Sequence, residues 1–133
     1  MNTRITKEIK ETLKKFIGSA QLSVMLQNTK GEEGEFFITK LLEVYSLVAS
    51  MPKTYETDGQ GKKAVVQLHY FLGGWDWYIT EKDKEAEQHQ AFGWASPPDY
   101  EPEAGYISIV ELLTNHAELD LYWKPKTIEE LGL

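Results

Sequence analysis

Three histidines, His69, His89 and His116, carry the first chemistry to weigh in this chain. Imidazole changes charge near neutral pH and serves as a general base or a metal ligand, so its neighbours decide its use. His69 stands in the stretch 65–80, where alternation puts it on one side with Gln67, Phe71, Asp76, Tyr78 and Thr80. In a hairpin it lies opposite Tyr78, and a third strand would bring His89 near Glu81 or Thr80. Together His69, His89, Glu81 and Tyr78 would form a cluster suited to acid–base work, as in a small hydrolase. The same four residues serve equally well as polar groups satisfied beneath a helix.

Other chemistry is excluded more firmly. His116-Ala117-Glu118 opens like the zinc-deaminase signature, but the chain has no cysteine for its downstream half. There is no His-Glu-x-x-His, no Walker spacing and no Gly-x-Ser-x-Gly elbow. Glu101 and Glu103 sit in a proline-rich loop, too poorly fixed for a glycosidase pair. The expectation is no cofactor and no metal.

Surface residues offer binding instead. Of the tryptophans, Trp75 and Trp77 fall on the apolar side of the hairpin and are expected in the core. Phe71, Tyr78, Trp94 and Tyr122 are the aromatic groups placed to face outward and anchor a partner. Acidic groups join them in two segments: Glu81, Asp83, Glu85 and Glu87, then Asp99, Glu101 and Glu103. Residues 1–80 hold ten Lys and Arg against nine Asp and Glu, while residues 81–133 hold four against twelve. So acidic a second half disfavours contact with a nucleic-acid backbone and favours a basic protein partner.

The elements that must position these groups begin with the hairpin. Two β-rich runs flank Gly73-Gly74, which places Leu72 opposite Trp75, Tyr70 opposite Trp77, Leu68 opposite Ile79 and Val66 opposite Glu81. Ile5, Ile9, Leu13, Phe16 and Ile17 recur at helical spacing, with Thr6 as N-cap and Gly18 as stop. Lys7, Lys10, Lys14 and Lys15 make this helix basic, which permits a nucleic-acid-binding module as a third reading. Residues 19–34 fit helix or strand, and Phe37, Leu41, Val44, Tyr45 and Val48 give a second helix ended by Pro52. Residues 81–87 read as a mobile charged turn, 88–95 as a third strand and 119–123 as a fourth. Ser108 with Glu111 and Thr127 with Glu130 are capping boxes for short helices.

With 133 residues, the chain is long enough for one domain with a sizeable core, helical over 1–52 and sheet-containing over 64–133. No apolar run is long enough for a membrane span, and the first eight residues lack the apolar core of a secretory signal. Together with the absence of cysteine, this points to the cytoplasm. The fold class expected is α+β: an antiparallel sheet of about four strands, N-terminal helices packed on one face, and short C-terminal helices.

The second half also resembles a known family. Trp75-Asp76-Trp77-Tyr78-Ile79-Thr80-Glu81, Ala91-Phe92-Gly93, Gly105-Tyr106-Ile107-Ser108-Ile109-Val110-Glu111-Leu112 and Leu119-Asp120-Leu121-Tyr122-Trp123 follow its order and approximate spacing. That family is a domain-of-unknown-function family of small bacterial, plasmid and phage proteins, and the likeness spans about residues 65–131. Glu103-Ala104 replaces the Glu-Leu usual before its Gly-Tyr, and residues 19–50 exceed its usual connection. The resemblance implies an accessory protein of a mobile element and assigns no catalytic residue. The leading expectation is a protein-binding accessory factor. In one version its carboxylates imitate nucleic-acid phosphates and occupy a basic nucleic-acid-binding protein.

Overall fold

Two successive glycines set the centre of the fold. In the computed structural model, which describes residues 4–133, Gly73 and Gly74 take φ of 54° and 88°. A tight hairpin turn needs that left-handed pair, and a side chain would resist it. The turn joins β2 (Leu68–Leu72) to β3 (Trp75–Glu81), with Leu72 opposite Trp75, Tyr70 opposite Trp77 and Leu68 opposite Ile79. Residues 1–3, part of the segment read for a secretory signal, lie outside the described residues.

Around this hairpin the sheet extends on both sides. β4 (Ala91–Ser96) and then β5 (Glu103–Ile107) add beyond β3, and β6 (Glu118–Leu119) adds beyond β2. All neighbours in this five-stranded sheet are antiparallel. β1 (Val65–Val66) and β7 (Lys126–Thr127) form a separate two-stranded pair. The fold is α+β, as expected, with more strands than the four read from the sequence.

Three helices cover one face. α1 (Lys7–Leu13) opens on Thr6, whose hydroxyl oxygen accepts from the Ile9 N–H at 3.2 Å. α2 (Ser19–Asn28) settles the ambiguous stretch as helix, and α3 (Gly34–Ser50) ends just before Pro52. Leu13, Ile17, Leu22, Met25, Leu41 and Val48 pack in one buried cluster with Leu68, Tyr70 and Ile79 from the sheet. The Tyr70 hydroxyl donates to the Phe16 carbonyl, tying the turn after α1 to the sheet. α4 (Ile109–Thr114) and α5 (Ile128–Leu131) are short. No helix among the described residues is long and apolar enough to cross a membrane.

Four expectations are corrected. Trp75 is 41% exposed and Leu72 is exposed too, because the hairpin tip carries its apolar side past the buried cluster. The strand expected over 119–123 stops at Leu119, where Asp120 turns the chain by accepting from the Tyr122 N–H at 2.9 Å. Glu103, expected in the proline-rich loop, instead opens a fifth strand. Val66 pairs with Lys126 rather than Glu81, since it lies in β1, and a bulge at Thr80 shifts the register of β3 against β4 and sets Glu81 opposite Phe92. One extra residue in a strand reverses the side on which everything after it points. Glu81 thereby joins the face that bears Phe92 and Trp94.

Candidate functional site

The sheet face away from the helices carries a lateral row formed by register. Ala104, Trp94, Tyr78 and His69 stand side by side across β5, β4, β3 and β2, and the Asp120 N–H donates to the His69 carbonyl at 2.8 Å. His69 is the most constrained of these. Its Nε2 lies 2.7 Å from Asp76 Oδ1 and its Nδ1 lies 3.0 Å from Asp120 Oδ2. Its ring stacks on Tyr78 at 4.9 Å and 9°, with Trp123 at 5.1 Å. Both nitrogens therefore have carboxylate partners, which fix the position and tilt of the ring. Burial first, and then the charge of Asp76, raises the Tyr78 phenol above its ordinary range.

Further along the same face lies a cavity of about 470 Å³. The loop between α3 and β1 forms one wall, and Phe92, Trp94 and Tyr106 form another. Glu81 holds the loop in place. The residue is 3% exposed, and its carboxylate accepts from the Tyr55 N–H at 2.9 Å, the Thr57 N–H at 2.8 Å and the Thr57 hydroxyl. Gly93 lets β4 approach closely here, since a Cβ there would fall 2.0 Å from the Tyr78 carbonyl oxygen.

Of the cluster considered for acid–base work, only His69 and Tyr78 come together. Glu81 is engaged with residues 55–57, and exposed His89 faces Ser108 at 3.4 Å. His116 adopts a φ of 69° immediately after the C-cap of α4 and is exposed. Among the described residues, no three His, Asp or Glu side chains are grouped so as to hold a metal ion.

The expected binding surface divides in a similar way. Phe71, Tyr78 and Trp94 share the open face, with Phe71 39% exposed. Tyr122 instead packs beside Phe36 at 6.3 Å and under Lys40 at 5.6 Å, on the α3 side. Glu81 and Asp83 are buried and do not belong to an acidic surface. Asp83 accepts from the Glu85 N–H at 2.9 Å and the Gln90 N–H at 3.0 Å, so the turn read as mobile is tied down. Glu85 and Glu87 are exposed before β4, whereas Asp99, Glu101 and Glu103 are exposed after it. Six residues at about 3.3 Å each set the two acidic groups roughly 20 Å apart, so they form no single stripe.

Reading the sequence alone missed Asp120, Trp123, Phe92, Tyr106 and Tyr55 as members of this face. Strand alternation from Trp94 back to Phe92 was available as a signal. The contributions of Asp120 and Tyr55 come from loops and left no local pattern.

No family model, curated protein or solved structure matches the chain. These comparisons lend no support to the family resemblance read for residues 65–131. The geometry of the site offers fixed aromatic surfaces and an acidic recess.

Proposed function

We propose that this chain is a non-catalytic accessory protein that binds another protein through the open face of its sheet. The observation carrying this reading is the row of half-buried and exposed aromatic groups, Phe71, Tyr78 and Trp94, on a face the helices leave uncovered. Aromatic side chains on a rigid sheet bury much surface at small entropic cost, which makes them the usual anchors of a protein interface. A phosphate-imitating surface draws less support, because Glu81 and Asp83 are buried and the remaining carboxylates divide between the two ends of β4. The hydrolase alternative is weaker still. Both nitrogens of His69 are taken, and Glu81 is committed to the loop.

Affinity capture with three versions of the protein tests the reading: unmodified, Phe71→Ala with Trp94→Ala, and Val24→Ala on the exposed side of α2. A partner retained by the unmodified and Val24→Ala proteins and lost by the double variant is the expected outcome. Retention of the same partners by all three, or no specific partner at all, overturns it.

A further inference from the structure

The cavity beside the aromatic row has a chemical character of its own. Phe92 and Tyr106 meet edge to face at 5.8 Å and 86°, giving two walls at right angles. The Tyr106 hydroxyl donates to the Tyr55 hydroxyl at 3.0 Å and joins the strand wall to the loop wall. Trp94 adds a third ring surface from the same strand as Phe92.

The electrostatics point one way. Asp58 lines the cavity, and so does Glu81, a buried carboxylate with no ammonium or guanidinium within ion-pair distance among the described residues. The Tyr106 phenol is raised above its ordinary range by the hydrogen bond to Tyr55, then by desolvation and Tyr55 itself, with the charges of Glu81 and Asp58 adding to it. A negative field and the negative faces of several rings therefore act in the same small space. The chain already places one cation against it: the Lys62 ammonium lies 6.0 Å from the Trp94 ring centroid.

We propose that the cavity bounded by Tyr55, Phe92, Trp94 and Tyr106 is a binding site for a methylated or quaternary alkylammonium group. Such a cation loses little hydration on entry, presents methyl groups to ring faces and keeps its charge, which is how aromatic enclosures select it. At about 470 Å³ the space lies within the range of small-molecule sites. Glu81 does not ligate the cation directly, since both its oxygens accept hydrogen bonds from residues 55–57; its charge acts through space. This site does not depend on the partner proposed above, because a free solute would fill it equally well.

The test is a titration of the full chain with tetramethylammonium, and in parallel with 2,2-dimethylpropan-1-ol, a soluble uncharged control of similar branched shape with one hydroxyl added, followed by indole N–H chemical shifts. Saturable binding of the cation, with the neutral compound weaker by roughly tenfold, is expected. Tyr106→Leu and Asp58→Asn should each weaken the cation severalfold. Both side chains are exposed, so circular dichroism should show the fold unchanged. Equal binding of the neutral compound, cation binding indifferent to Tyr106→Leu, or no saturable binding overturns the proposal. A peptide bearing trimethyl-lysine identifies the source. Tighter binding than tetramethylammonium assigns the cation to a protein side chain, and equal binding assigns it to a free solute; both presuppose the site.

Discussion

Glu81 illustrates how a carboxylate can hold a surface together without being on it. Two backbone N–H groups and a hydroxyl from residues 55–57 converge on its oxygens, and Thr57 is itself buried. Replacing Glu81 by Ala leaves those donors facing a void. Unpaired buried donors cost about 1–3 kcal/mol, so Glu81→Ala should destabilise the protein by about 2–3 kcal/mol in urea unfolding. Residues 53–63 should also be cut faster by a protease, because their anchor is gone. Unchanged stability and unchanged cleavage would mean that the loop is held by other contacts. Lys82, the next residue, points its ammonium to the Val48 carbonyl, and burial together with Lys53 lowers its pKa. Adjacent charges where β3 ends thus fix different neighbours, one the loop and one the end of α3.

At the level of elements, local signals act where the partners are close in sequence. The cap at Thr127 is complete: its hydroxyl oxygen accepts from the Glu130 N–H at 3.0 Å, and Glu130 Oε1 accepts from the Thr127 N–H at 3.0 Å. Thr127→Ala should cost about 1 kcal/mol, read as a shift in the denaturation midpoint. The hydrogen bonds from Thr127, backbone first and side chain second, hold the Glu130 carboxyl below the usual carboxylate range. A carboxyl with a lowered folded-state pKa contributes stability above its ordinary range and loses it as pH falls. Glu130→Gln should therefore flatten the stability profile on the acid side, and an unchanged acid limb would remove this link. Such caps, the Gly73-Gly74 hairpin and the period of α1 and α3 were legible because each depends on residues a few positions apart. The bulge at Thr80 was not legible, since it answers to Phe92 on the next strand and to residues 55–57. Asp120 ends the fourth strand by turning the chain toward His69, a partner 51 positions away. Both misreadings fall at the open face, where distant loops meet the sheet, so the core was easier to foresee than the site.

For the whole molecule, the division into a covered and an open face converges on Tyr70. It is fully buried between sheet and helices, and its hydroxyl bonds the Phe16 carbonyl at the end of the α1 segment. Burial drives its phenol far above the ordinary value of 10.0, so the folded chain keeps this proton in alkali. The unfolded chain releases it near the ordinary value. Above that pH the unfolded state binds fewer protons than the folded one, and stability falls as pH rises, by about 1.4 kcal/mol per pH unit for one such group. The protein should accordingly unfold cooperatively in alkali, with Tyr70 ionising only as the helices leave the sheet. Tyr70→Phe should cost about 1–2 kcal/mol at neutral pH, because the Phe16 carbonyl loses its buried donor. The same substitution should make the alkaline limb shallower, since the group that resists ionisation is gone. A phenol absorbance titration alongside circular dichroism from pH 9 to 12 reads both, over the range in which the unfolded chain's phenols ionise. If Tyr70→Phe leaves the slope unchanged, the coupling between helix layer and sheet does not run through this residue.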